Sequence, residues 1–255
     1  MEKVIQFIND FKKSPALEAL LTDSQIEPIM IWVAGSVWLG TADQDSDYDL
    51  CILVKELPKE DLTSPWLFYG RPNSHFLWYK PQMKKVDLIY TSVDEIFLES
   101  KSTSLANVGW SQIKYWPEQA IIYKNPKYLD FINTLFDNKE KIFRNSIYLF
   151  LKSALLSYTQ NNTLSELIYR NTQGRPDKLL ANACWASDLL QNKELNINNI
   201  LAIKRNLYEN LSQDIKNYIT EALKYLDTYL IDMDKNIDSI TELQKCFKRF
   251  NLIEY

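Results

Sequence analysis

Glycine is scarce in this chain. Gly35, Gly40, Gly70, Gly109 and Gly174 are all it has in 255 residues, where average usage would supply roughly eighteen. No G-x-G-x-x-G stretch occurs, so nothing supports a dinucleotide-binding βαβ unit, and no G-x-x-x-x-G-K-[ST] stretch occurs, so a P-loop is excluded. Histidine is scarcer still. His75 stands alone, so a Ser or Cys nucleophile needing a His base would have to use it, and a zinc site built on several imidazoles is not expected. It lies at the start of an expected strand, where packing or exposure explains it. The three cysteines, Cys51, Cys184 and Cys246, are far apart. That spacing fits a reducing compartment and neither a disulfide framework nor a Cys-x-x-Cys metal site. Long apolar runs are missing too. Ile29 to Ala34 is far too short to span a bilayer, and the first residues lack the pattern of a secretory signal. A cytoplasmic protein with no membrane partner is expected. Net charge is −4, which gives no bulk attraction to nucleic acid.

What is present divides the chain in two. Eight of the nine prolines and four of the five glycines fall in residues 1–126, leaving Gly174 and Pro176 as the single break in the remainder. A long tail with one break reads as helical. Residues 1–125 carry 12 basic and 17 acidic side chains, and residues 126–255 carry 17 and 16. A boundary near residue 125 is expected, with a mixed α/β half before it and a helical half after it. In the first half, Val4, Phe7, Ile8 and Phe11 recur at helical spacing, and Pro15 suits a first helical turn. Strands are expected at Ile29–Val33, Tyr48–Val54, Phe76–Tyr79, Val86–Tyr90 and Ala120–Tyr123, with a helix at Val93–Ser100. The dense aromatics Trp66, Phe68, Tyr69, Phe76, Trp78 and Tyr79 fit edge-strand packing better than stacking on a base. Helices are expected at about 127–137, 140–160, 177–191, 197–209, 213–230 and 238–250.

Chemistry concentrates in one stretch: Gly35-Ser36-Val37-Trp38-Leu39-Gly40, then a short loop and Ser46-Asp47-Tyr48-Asp49-Leu50. Side chains alternate along a strand, so Asp47 and Asp49 share one face while Tyr48 faces the other. Two adjacent carboxylates repel unless a cation lies between them, and hard divalent cations such as Mg²⁺ take oxygen ligands of this kind. A third carboxylate, Asp87, interrupts the otherwise apolar Val86-Asp87-Leu88-Ile89-Tyr90. An Asp-x-Asp pair alone says little, since Asp43/Asp45 and Asp232/Asp234 repeat it. The ordered set of strand, Gly-Ser turn, Gly, Ser-Asp-x-Asp strand and later lone Asp is far more specific.

That ordered set resembles the DNA polymerase beta-like nucleotidyltransferase superfamily, with its G-S-x-x-x-G followed by S-D-x-D and a hydrophobic residue. The resemblance is strong over residues 29–54 and extends to Asp87 by order. The helical second half is similar to that of small two-domain bacterial nucleotidyltransferases that modify antibiotics. The resemblance implies an α+β fold: a mixed-sheet nucleotidyltransferase palm domain over residues 1–125, and an all-helical C-terminal bundle over 126–255 closing the cleft. It implies that Asp47, Asp49 and Asp87 are catalytic and hold two Mg²⁺ ions, Mn²⁺ being an alternative. Gly35 and Ser36 would bind the triphosphate, with Asp87 also placed to help take the acceptor proton. Relatives often set a basic side chain from the helical half on the triphosphate. Lys178, beside the Gly174–Pro176 break, is the first choice, Lys152 its rival, and a solvated loop the bland reading.

Two departures stand out. Trp38 is bulky where relatives carry a small or basic residue, and packing of the short helix is its expected role. No separate general base is identifiable in the helical half, although Glu166, Asp177 and Asp188 are available. The expected activity is transfer of a nucleoside monophosphate from a nucleoside triphosphate, ATP foremost, to a hydroxyl of a small molecule, with release of pyrophosphate. Transfer to RNA, tRNA or protein is the alternative, and a non-catalytic nucleotide-binding protein is the alternative of another class. The oligomeric state is not set by sequence; a homodimer is left open.

Overall fold

The computed structural model describes residues 2–22, 26–38, 40, 48–55, 67–71, 74–78, 85–93, 113, 118–151, 178–206, 208–250 and 252. Within these, only the backbone is described for Lys3, Ser36, 67–71, 74–78, Lys85, Asp87, Phe150, 178–179 and 237–239. Two helices open the chain, α1 (Glu2–Phe11) and α2 (Pro15–Thr22). Six strands follow: β1 (Pro28–Ala34), β2 (Tyr48–Val54), β3 (Leu67–Arg71), β4 (Ser74–Trp78), β5 (Lys85–Ser92) and β6 (Ile121–Lys124). A one-turn helix α3 (Gly35–Trp38) sits directly after β1. The later helices are α4 (Leu129–Asp137), α5 (Lys139–Phe150), α6 (Lys178–Leu190), α7 (Ile197–Arg205), α8 (Gln213–Lys235) and α9 (Ile237–Lys248).

The strands form a single sheet in the order β3-β4-β5-β2-β1-β6. β2 and β5 run parallel and every other neighbouring pair is antiparallel. The sheet is therefore mixed and the fold is α+β, as expected. β1 is buried along its whole length and β2 from Leu50 onward. A strand covered on both faces needs apolar side chains on both, which is why these two read as continuous Ile, Val and Leu runs. β3 was not expected as an element. It pairs with β4 two residues later, with Phe68 opposite Phe76, and forms one edge of the sheet, which puts Phe68 and Tyr69 in an edge strand and Phe76 and Trp78 in its neighbour, while Trp66 and Tyr79 lie outside the described residues. The helix expected at Val93–Ser100 lies outside the described residues beyond Val93, as do residues 152–160 of the helix expected at 140–160.

The chain divides into two compact units. The first comprises Met1–Leu98, Ser104–Ser146 and Ile240–Tyr255. It holds the sheet, and the last helix returns to it: Phe131 of α4 meets Phe247 edge-on at 5.7 Å between ring centroids and Phe250 at 5.2 Å. Arg249 donates to the Thr134 hydroxyl at 3.0 Å in the same cluster. Polar caps fix the joints. Asn125 accepts from the Lys127 amide at 3.0 Å and donates to the Pro28 carbonyl at 2.9 Å, tying the end of β6 to the start of β1.

The second unit comprises Ile147–Ser239 with Glu99–Thr103. There α6 packs on α7 and α8 through Leu180, Ala183, Cys184 and Leu189 against Ile200, Ile203, Ile219, Leu223 and Leu226, all buried. Ser212 caps α8 by accepting from the Ile215 amide, and Asn196 caps α7 by accepting from the Asn199 amide, each satisfying a helix-end donor that has no partner inside the helix. α7 stops at Arg205, short of the expected 209, because Asn206 leaves the helix and bonds back to the Ala202 carbonyl with both its amide groups. Cys51 and Cys184 are buried and Cys246 partly so, and none is bridged. Among the described residues, no helix is long and apolar enough to cross a membrane.

Candidate active site

The site begins where β1 ends. Gly35 takes φ +74° and Gly40 takes φ +73°, a left-handed conformation that L side chains with a Cβ rarely adopt. The first turn swings the chain from β1 into α3, and the second follows the helix, where the Gly40 amide donates to the Val37 carbonyl at 3.4 Å. Two of the five glycines thus sit where the backbone demands them.

Gly35 answers a second demand. Ala34 and Asp49 are register partners in the β1–β2 ladder, which brings the Asp49 side chain over the turn. A Cβ on residue 35 would lie 2.6 Å from the Asp49 Cγ and collide with its Oδ2. The absent side chain of Gly35 is the space that the half-buried Asp49 carboxylate occupies. The turn and the acid therefore form one local unit.

The parallel ladder adds the next element. Asp49 is the direct partner of Asp87, with Tyr48 opposite Val86 and Leu50 opposite Leu88. Partner positions on neighbouring strands lie on the same face, with the strands roughly 4.8 Å apart. Two aspartates placed so destabilise one another unless positive charge is shared between them. The donor set is hard oxygen, and Gly35 sets no side chain against it. The residues present thus fit a divalent cation of the Mg²⁺ type. Asp47 lies outside the described residues, two positions before Asp49. Ser36 is placed in α3 and Asp87 in β5 by their backbones alone. No group of three or more metal-ligating side chains is found among the described residues.

The remaining expected residues separate. Trp38 is 6% exposed, so it packs the short helix, as its bulk implied. Lys178 is the first residue of α6, in the second unit, and is placed by its backbone alone. Lys152, Glu166 and Asp177 lie outside the described residues. Asp188 is 4% exposed and its Oδ2 accepts from the Tyr218 hydroxyl at 2.7 Å and the Asn196 amide at 3.3 Å. It braces α6, α7 and α8, which is a structural task. Burial, joined by the Asp188 charge, pushes the Cys184 thiol up, and burial with the Asp188 hydrogen bond pushes the Tyr218 phenol up. His75 sits in β4 opposite Leu88.

Sequence reasoning missed the support of β2 from below. Tyr48, between the two aspartates, stacks on Phe7 of α1 with ring centroids 3.9 Å apart and planes 15° from parallel. Helical periodicity marked Phe7 as apolar-facing, but no sequence signal tied it to Tyr48.

A family model described as a nucleotidyltransferase domain matches residues 15–160, which takes in the Gly-Ser turn and all three aspartates. Among solved structures, the chain is similar to a STING-associated CdnE c-di-GMP synthase from Capnocytophaga granulosa. The two are 14% identical, the match covers 92% of this chain and 83% of that one, and the TM-score is 0.28. No curated protein matches the chain.

Proposed function

The chain belongs to the nucleotidyltransferase domain family, and from that premise we propose that it transfers a nucleoside monophosphate, ATP being the first donor to test, to a hydroxyl of a small molecule. The observation that carries this reading is the Asp49 carboxylate seated over Gly35 and placed in register with Asp87. Asp47, Asp49 and Asp87 would hold two Mg²⁺ ions, or Mn²⁺. Bound there, the ions would offset the charge of the triphosphate and of the oxygens that attack and leave. Gly35 lets the backbone come close to phosphate, and Ser36 with the amides of the turn donates to its oxygens. Asp87 accepts the proton of the acceptor hydroxyl as its oxygen bonds to the α-phosphorus. The bond from that phosphorus to the bridging oxygen breaks, and pyrophosphate leaves. Lys178 is assigned to the triphosphate as its cation.

The charge balance supports the acceptor class. Residues 1–125 carry five more acidic than basic side chains, which favours a small, cationic acceptor over a polyanion such as RNA. The test incubates the protein with Mg²⁺, each nucleoside triphosphate labelled at the α-phosphate, and a cell extract. Label in a small molecule supports the reading. Label in RNA or protein moves the acceptor to that class. No transfer and no pyrophosphate from any nucleotide leaves a binding protein instead. Pyrophosphate release that survives Asp49→Ala would sink the assigned site.

A further inference from the structure

Tyr48 opens β2, one residue before the register partner of Ala34. The β1–β2 ladder ends at Ala34 opposite Asp49, because the chain turns away at Gly35. Tyr48 lies one residue beyond that end and pairs with Val86 of β5. Asp49 follows it directly in the chain. A restraint on Tyr48 comes from the opposite face. Tyr48 is half-buried there against Phe7, which is 5% exposed, in the near-parallel stack described above. Phe7 is itself backed by the fully buried Phe11, with ring centroids 5.7 Å apart. A planar stack resists both tilt of the Tyr48 ring and rotation of its Cα, and rotation of that Cα swings the Asp49 carboxylate next to it.

We propose that the Phe7–Tyr48 stack is a positioning device for the metal-holding end of β2, so that α1 sets how well the aspartates meet a divalent cation. The inference rests on the metal reading of the site given above. Phe7 touches no reacting atom and acts through Tyr48. A stack of ordinary strength corresponds to roughly a two- to tenfold change in a coupled equilibrium.

The test measures Mn²⁺ binding to the full chain without nucleotide, by electron paramagnetic resonance of free Mn²⁺, together with melting temperature. Phe7→Leu and Tyr48→Leu should weaken Mn²⁺ binding by roughly two- to tenfold. Tyr48→Phe keeps the ring and should bind as wild type does. Phe11→Leu, in the same helix but not stacked on Tyr48, should lower the melting temperature and leave Mn²⁺ affinity unchanged. Wild-type affinity in a folded Phe7→Leu chain, or equal weakening by Phe11→Leu, overturns the proposal. If Phe7→Leu does not fold, the Tyr48 pair decides, and equal affinities in Tyr48→Phe and Tyr48→Leu overturn it. Wild type that takes up no Mn²⁺, or Asp49→Asn that takes up as much, overturns the metal reading and this inference together. Binding that Asp49→Asn abolishes and Phe7→Leu leaves intact overturns the stack alone.

Discussion

Two aspartates, one in each compact unit, solve the problem of a carboxylate away from water in opposite ways. Asp188 is given its donors by the fold, a tyrosine hydroxyl from α8 and the backbone amide that starts α7. Those hydrogen bonds offset the cost of taking the group from water, so this side chain is finished by the protein itself. Asp49 is placed against a glycine and in register with another aspartate, the pair that the proposed function assigns to a cation. A carboxylate completed by neutral donors is part of the architecture. Under the proposed reading, the one in register with a second carboxylate receives a cation.

The comparison breaks most sharply at Asp49. Asp49→Asn should lower nucleotidyl transfer by about a thousandfold, while the melting temperature without metal stays level or rises, since a repulsive pair is relieved. Pyrophosphate release and calorimetry check this, and a large loss of melting temperature would make Asp49 structural like Asp188. Gly35→Ala should cost both kinds of property. The left-handed turn penalises any Cβ by about 1–2 kcal/mol, and the new methyl displaces the carboxylate, so roughly a hundredfold loss of rate is expected. Wild-type turnover in a Gly35→Ala chain would show that the carboxylate does not need the glycine.

Asp188→Ala should show the reverse pattern. It leaves the Tyr218 hydroxyl and the Asn196 amide without their acceptor, at a cost of about 2–3 kcal/mol. Turnover per folded molecule should stay unchanged, and a kinetic loss beyond the loss of folded protein would make Asp188 a candidate base again. The smallest effect is one of pH. Cys184 and Tyr218 are raised above their ordinary values of 9.0 and 10.0. Above pH 9 the unfolded chain therefore releases protons that the folded chain keeps, and stability falls as pH rises. Below that both states keep them and stability is level in this respect. Tyr218→Phe should flatten the decline above pH 10, followed by denaturant titration at alkaline pH, at a cost near neutrality of about 1 kcal/mol for the lost hydrogen bond.

β1, β2 and β5 were readable because a strand buried on both faces must be apolar throughout, and Asp87 was readable as the one break in such a run. β3 was not. Leu67-Phe68-Tyr69-Gly70-Arg71 has a glycine and no clear alternation, and it becomes a strand by pairing with β4. An edge strand of that kind owes its conformation to its neighbour. Trp38 was readable as packing from its size. The task of Asp188 was not, because an aspartate in a helical stretch looks solvated until Tyr218 and the start of α7 are brought to it.

The sequence by itself determined what depends on local sterics and periodicity. The glycines at 35 and 40 permit left-handed turns, alternation sets Asp49 and Tyr48 on opposite faces, and the ordered motif points to nucleotidyl transfer. Tertiary structure alone decided which carboxylates stand together. The parallel register that sets Asp49 beside Asp87, the ring of Phe7 beneath Tyr48, and the donors around Asp188 all join distant segments. Hydrogen-bond ladders and packed surfaces fix such pairings, and no local preference encodes them.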